Sequence, residues 1–329
     1  MTILVTGAAG FIGAHVVQAL LAQGQSVIGL DNLNEYYPSQ LKRDRLIALC
    51  DSRDFELHRV DIARPEDVLA ALRGRKPKRI IHLAAQAGVR YSLENPAAYT
   101  EANLKGHFCM LELARQFEVE NMIYASSSSV YGGNSKIPFA ETDQTDDPVS
   151  FYGATKKSNE MMSQSYARLY GIPLTGLRFF TVYGPWGRPD MAYWIFAEKT
   201  LKGEAISVFN HGKMSRDFTY IDDIISGVLA ALARPSNSLG LSAPHRVYNL
   251  GNDRPEMLMD MISCIENGVG KSATKAFEPM QKGDLERTWA SIERARSELN
   301  YNPIVGLQDG LARFTDWFKK YHRESDLTC

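Results

Sequence analysis

Tyr152 and Lys156 stand four residues apart in a segment of helical period, so both side chains project from one helix face. The pairing suits proton transfer. A phenol ionises near 10, and an adjacent ammonium stabilises the phenolate, bringing it toward the range of a base that works at neutral pH. Upstream, the apolar run Met122-Ile123-Tyr124-Ala125 leads into a row of hydroxyls, Ser126-Ser127-Ser128-Ser129. Hydroxyls at the carboxyl end of a strand lie where open α/β sheets bind their ligands.

A second group of residues is suited to phosphate. The strand-like start Ile3-Leu4-Val5 runs into Gly7-Ala8-Ala9-Gly10-Phe11-Ile12-Gly13, three glycines at three-residue intervals before a helix. Gly7 permits a tight turn, Gly10 lets the backbone approach a pyrophosphate, and Gly13 allows helix to pack closely on strand. The helix N-terminus adds free N–H groups and a positive dipole end. Asp31, eighteen residues beyond Gly13, closes the run Ser26-Val27-Ile28-Gly29-Leu30. A carboxylate there accepts hydrogen bonds from the adenosine ribose and repels a 2′-phosphate, which selects NAD over NADP. No lysine or arginine follows before Lys42. Asp61, past the third strand, reads either as a contact at the adenine end or as the N-cap of the next helix.

Short apolar runs near 2–6, 26–31, 55–60, 79–84, 121–126 and 173–179 alternate with helical segments near 12–23, 40–50, 65–73, 97–117 and 151–170. Such alternation predicts an α/β fold, a Rossmann-type doubly wound parallel sheet. From about residue 180, Pro185, Gly187 and Pro189 break the pattern, and short helices and strands then mix. Residues 1–180 are expected to bind the dinucleotide and carry the Tyr/Lys helix. Residues 181–329 are expected to form a smaller, mixed α/β substrate lobe, with some segments returning to the sheet.

The 38 acidic and 37 basic side chains leave a net charge of -1, which argues against nucleic-acid or anionic-membrane partners. Cys50, Cys109, Cys264 and Cys329 lie far apart without metal-ligand spacing, which argues against disulfides and structural zinc. No basic leader with an apolar core and no 18-residue apolar run is present, so a cytoplasmic location is the expectation.

The glycine set, Asn103, Ser127, Tyr152 and Lys156 together resemble the extended short-chain dehydrogenase/reductases, specifically the nucleotide-sugar epimerases and dehydratases, over nearly the whole chain. The resemblance implies bound NAD, with further contacts from Phe11, Ile12, Asn32, Ile62, Leu83, Ala84, Ala85, Asn103, Ser126 and Phe179. It implies that Ser127 hydrogen-bonds the reacting sugar oxygen, that Tyr152 exchanges its proton, and that Lys156 also holds the nicotinamide ribose.

Four longer strings, Leu30–Tyr37, Ala84–Ser92, Arg178–Met191 and Phe209–Tyr220, are most similar to the UDP-glucuronate 4-epimerase branch. Dehydratases and decarboxylases of the family resemble one another in carrying a carboxylate in the turn where this chain has Ser128 and Ser129. Neutral donors there suit a substrate that already bears a carboxylate. Thr181 is then a donor to that carboxylate, and Arg188 reads either as its ion-pair partner or as a surface or diphosphate contact.

Resemblance also assigns Arg216 to the diphosphate, Val208 and Phe209 to the substrate site, and Gln281 and Asp284 to a loop over the uridine. Arg90 reads as a further anion ligand or as a helix-flanking charge. The implied reaction oxidises C4 of the sugar, turns the 4-keto sugar about its diphosphate link and reduces it from the other face. A homodimer through the helices near 97–117 and 151–170 is implied as well. A 4-epimerase of UDP-glucose or UDP-N-acetylglucosamine, a UDP-glucuronate decarboxylase and a non-catalytic dinucleotide sensor are the alternatives.

Overall fold

Leu4 and Val5, Ile80 and Ile81, and Met122 and Ile123 are wholly buried pairs of sequence neighbours. Within each pair the two side chains enter different core clusters, as the two-residue period of a strand requires. A sheet buried on both faces is the setting for such continuous apolar runs. The computed structural model describes residues 2–280 and 285–326. In it, β1 (Thr2–Thr6), β2 (Ser26–Asp31), β3 (Phe55–Arg59), β4 (Arg79–His82), β5 (Asn121–Ser127) and β6 (Leu174–Phe179) form one parallel sheet.

Helices α1 (Phe11–Ala22), α2 (Ser39–Cys50) and α3 (Pro65–Leu72) alternate with these strands, followed by the short turns α4 (Tyr91–Glu94) and α5 (Pro96–Tyr99), then α6 (Gly106–Phe117) and α7 (Phe151–Tyr170). Val16, Val17 and Leu20 of α1 pack on one face of the sheet. Met110, Leu111 and Leu113 of α6, with Val68 and Leu72 of α3, pack on the other. Each such side chain, fully buried, contributes about 1.5–3 kcal/mol of transfer free energy.

After β6 come the short strands β7 (Thr181–Tyr183), β8 (Ile206–Phe209) and β9 (Ser215–Tyr220), then β10 (His245–Leu250), β11 (Pro255–Met257) and β12 (Lys275–Glu278). β10 returns to the main sheet beside β6, giving the strand order β10-β6-β5-β4-β1-β2-β3. The remaining five strands make two small sheets, β11-β9-β7 and β12-β8. Strand order reverses at β1, whose neighbours are β2 and β4, and the crevice at the carboxyl ends of these strands is the ligand position of a doubly wound fold.

The structure corrects two element boundaries. The helix expected over 97–117 is interrupted by a π-helical segment at Thr100–Lys105, between α5 and α6. π-Bulges collect at functional sites, and this one carries Asn103. β4 stops at His82 instead of reaching 84. There Ala84 N donates to the Thr6 hydroxyl at 3.2 Å, and the chain peels away against Gly7, whose added Cβ would stand 2.7 Å from Ala84 N.

Candidate active site

The glycine turn has the shape that a pyrophosphate needs. Gly7 is left-handed at φ +70°, and a Cβ on Gly13 would stand 2.0 Å from the Gly7 carbonyl oxygen. Gly10 is the N-cap of α1, with no side-chain cap and no acid in the first turn. The first-turn amides therefore remain available to an anion. These residues line a cleft of about 260 Å³ together with Phe11, Ile12, Asp31, Asn32, Asp61, Ile62, Leu83, Ala84, Ala85, Ser126, Ser127, Tyr152, Lys156, Phe179 and Arg188. A glycine cradle, uncapped amides and an acid at the end of β2 fit a dinucleotide.

Asp31 accepts from Ala9 N at 3.1 Å and from Leu33 N at 2.8 Å, which fixes its carboxylate while leaving lone pairs for ribose hydroxyls. Asp61 is not the helix cap: Arg64 holds the N-cap position of α3, and Asp61 accepts from Ala63 N at 2.9 Å. Lys42 reaches the same cleft through α2, donating to the Asn34 carbonyl at 2.9 Å and to Asn34 Oδ1 at 2.8 Å. Its commitment to Asn34 was invisible in the sequence, because a helix one turn away brings the ammonium back.

Asn103 lies behind the cleft and does not line it. Its amide accepts from Gln86 N at 2.8 Å and donates to the Gln86 carbonyl and the Thr155 hydroxyl, both at 3.0 Å. The π-helical segment thus fastens the chain after β4 to α7.

Ser127 ends β5, and its hydroxyl accepts from Ser129 N at 3.1 Å. Tyr152 is the second residue of α7, which Ser150 caps by accepting from Gly153 N at 3.0 Å. Gly153 makes the approach possible: a Cβ there would stand 2.6 Å from the Ser129 carbonyl oxygen. Lys156 is 3% exposed and donates to the Ala125 carbonyl at 3.0 Å.

Burial raises the Tyr152 pKa, and the groups that oppose it are the Ser127 hydroxyl and the Arg188 charge. Burial also pushes Lys156 down, to about 8, and its ammonium is held on the strand carbonyl.

Behind Lys156 lies a layer of buried imidazoles. His82 meets the Thr6 hydroxyl at 2.7 Å and His107 meets Ser163 at 2.9 Å. Burial drives His82 down to about 3, His15 and His245 to about 4, and His107 well below its ordinary value. The unfolded chain takes up these protons below about pH 6.5 and the folded chain does not, so stability falls with pH from there toward 4. Asp217 runs the other way, pushed up to about 7 by burial, and offsets one of the four histidines. Each uncompensated histidine is worth about 1 kcal/mol per pH unit, and urea denaturation at pH 7, 5.5 and 4.5 measures the sum. Unchanged stability between pH 7 and 5 would refute it.

On the sugar side, Arg188 grips Asp190 with Nε at 2.9 Å and Nη2 at 2.5 Å, and Tyr36 donates to the same carboxylate at 3.0 Å. Thr181 starts β7 half-buried, outside the cleft lining, as are Ser128 and Ser129 in the turn after β5. The Arg90 guanidinium lies 5.2 Å from the centre of the Phe209 ring. Arg216 donates to the Ser215 and Glu286 carbonyls. Val208 is wholly buried in the core, so its side chain has no surface for a ligand. Gln281 and Asp284 lie outside the described residues.

Sequence reasoning missed Tyr36, Asp190 and Arg45. Arg45 is wholly buried and donates to the carbonyls of Ala9, Trp186 and Gly187, stitching the glycine turn to the loop that carries Arg188. Tyr36 and Asp190 stood inside the quoted strings, but 154 residues separate them and only the fold joins them.

The chain is 43% identical over 340 residues to a probable UDP-glucuronate 4-epimerase of Rhizobium meliloti, covering all of both chains. The UDP-glucuronic acid 4-epimerase of Bacillus cereus, solved with UDP-glucuronic acid and NAD, superposes with a TM-score of 0.89 at 37% identity, over 98% of this chain and 100% of that one. The UDP-glucose 4-epimerase of Thermotoga maritima, solved with UDP-glucose, gives 0.88 at 31% identity, again over 98% and 100%. The NAD dependent epimerase/dehydratase family model matches residues 3–251, and the chain belongs to that family.

Proposed function

We propose that the protein interconverts UDP-glucuronate and UDP-galacturonate by inverting C4 through a 4-keto sugar, with NAD held in the cleft. The observation that carries this reading is the arrangement of Arg188, Tyr152 and Ser127 on one cleft, beside a turn whose side chains are the neutral hydroxyls of Ser128 and Ser129. Removal and return of hydride at C4 is the chemistry that NAD supplies when bound.

Ser127 hydrogen-bonds the C4 oxygen and Tyr152 takes its proton, returning it when C4 is reduced on the other face. Arg188 serves twice, by meeting the sugar carboxylate and by lending its charge to the Tyr152 phenolate. Residues 1–180 carry the cofactor and base, and residues 181–329 mainly bind the sugar nucleotide through Arg216 and Phe209, with Arg90 of the first segment set against the Phe209 ring.

A 4-keto uronic acid is a β-keto acid and loses carbon dioxide when its carboxylate bond aligns with the carbonyl π system. A carboxylate fixed by Arg188 is kept out of that alignment. Arg188→Ala is accordingly expected to release a UDP-4-keto-pentose, seen by mass spectrometry. Loss of turnover without that product would refute the orienting role.

Proton NMR of the purified protein with UDP-glucuronate tests the main reading. Anomeric signals of UDP-galacturonate growing to a stable mixture establish it, and UDP-xylose would point to decarboxylation. The Arg188–Asp190 pair is the observation that favours a second reading, a neutral UDP-hexose as substrate, because a neutralised cation leaves no call for an acidic sugar. UDP-glucose and UDP-N-acetylglucosamine in the same assay decide between them.

A homodimer fits the exposed apolar side chains Phe108 of α6 and Met161 and Leu169 of α7, which are 47%, 58% and 68% exposed. Sedimentation equilibrium should return twice 36.8 kDa, and a monomer mass would refute it. Among the described residues no helix is long and apolar enough to cross a membrane. A cytoplasmic location is part of the proposal, in keeping with the free thiols of Cys50, Cys109 and Cys264.

A further inference from the structure

Arg188 and Asp190 face each other two residues apart, in a loop whose backbone is tied down just before Arg188. Arg45 holds the carbonyls of Trp186 and Gly187 on one side, and a Cβ on Gly187 would stand 1.9 Å from the Tyr193 hydroxyl on the other. Between that tied backbone and Asp190, the long Arg188 side chain is the part with rotatable bonds to spare. Asp190 is held from a different part of the chain: the Tyr36 hydroxyl donates to it, and the Tyr36 ring packs 4.8 Å from Tyr91. The side chains of Arg188 and Asp190 are 23% and 29% exposed, so an incoming anion can reach the pair.

A sugar that must present both faces of C4 has to turn, and its carboxylate has to leave Arg188 while it does so. A lone guanidinium in this half-buried, tyrosine-lined pocket would resist that departure, because the separated charges regain little hydration. We propose that Asp190 is the counter-ion onto which Arg188 falls back when the sugar carboxylate lets go, so that an acidic sugar is held firmly enough to be oriented and loosely enough to turn. Asp190 is thus a positioning and specificity-setting residue. The proposal rests on the reading of UDP-glucuronate as substrate.

The test measures equilibrium binding of UDP-glucuronate and UDP-glucose by calorimetry in a Tyr152→Phe background, which slows turnover, with and without Asp190→Asn. Removing a negative charge near the bound carboxylate should tighten UDP-glucuronate by at least about tenfold and leave UDP-glucose within about twofold. With Tyr152 present, Asp190→Asn should lower KM and kcat for UDP-glucuronate together, because turning is slowed. Asp190→Glu, which keeps the charge, should restore the parent pattern, and Asp190→Ser should repeat the tightening if the Asn variant does not fold.

Weaker or unchanged binding of UDP-glucuronate in the charge-removing variants overturns the proposal, since a residue that merely props Arg188 in place would lose affinity when altered. A parent enzyme that epimerises UDP-glucose and ignores UDP-glucuronate overturns the substrate reading and the proposal with it. A parent active on UDP-glucuronate with no tightening overturns the proposal alone.

Discussion

Tyr152→Phe is expected to lower kcat for C4 epimerisation by about 10²- to 10⁴-fold, the range over which a positioned acid–base group contributes. The substitution removes one oxygen and keeps the ring, which packs edge-on to Tyr99 at 6.0 Å. α7 keeps its Ser150 cap and Lys156 keeps its bond to Ala125, so the site should hold its shape. KM for UDP-glucuronate should change much less than kcat, because the lost group acts mainly on the proton in flight. Its pH profile supplies a second check. In the wild type, burial holds the phenol protonated and Ser127 and Arg188 pull against burial, so activity should rise with pH as the phenolate forms. The residual activity of Tyr152→Phe should lack that limb. A loss of less than about tenfold would show that another group moves the proton.

Arg178→Ala is expected to cost about 3–5 kcal/mol of stability, which shifts the folding equilibrium by about two to four orders of magnitude. Arg178 and Glu160 are 4% and 5% exposed at their side chains and meet in a two-pronged pair, Nε to Oε1 and Nη2 to Oε2, both at 2.8 Å. Arg178 also donates to the Tyr131 hydroxyl at 2.9 Å, and Tyr131 in turn donates to Asn249 at 2.7 Å. Deleting the cation strands a buried carboxylate, which is the expensive case; an intact pair roughly breaks even with apolar residues of similar volume.

The pair also matters to the site. Ser126 donates to Glu160 at 2.6 Å, so the hydroxyl row after β5 is referenced to α7 through this carboxylate. Urea denaturation of Arg178→Met, Glu160→Leu and the combined Arg178→Met/Glu160→Leu variant measures the coupling, with Arg178→Ala alongside. The combined variant should be more stable than Arg178→Ala. Single-variant losses below about 1 kcal/mol would mean that the pair is more hydrated than its burial implies.

The strands that carry the site were legible because each is a short apolar run that its neighbours bury on both faces, as with Ile80–Ile81 and Met122–Ile123. The π-helical segment at Thr100–Lys105 was not, since it goes with the Asn103 side chain reaching Gln86, a contact outside the helix itself. The helical spacing of Tyr152 and Lys156 placed both on the cleft but said nothing of desolvation, which dominates both side chains once they are buried.

By itself the sequence determined the alternation of strand and helix, the glycine turn before α1, the acid that closes β2 and the serine row that closes β5. These are local properties, fixed by residue type, period and the backbone freedom of glycine within a few positions of one another. Only the tertiary structure decided the return of β10 to the sheet, the reach of Lys42 into the cleft, the clasp of Arg45 on the loop before Arg188 and the meeting of Tyr36 with Asp190. Each joins segments that lie far apart or on different elements, and whether a charge finds carbonyls, a carboxylate or water at such a distance is set by which loops the sheet order brings to one edge.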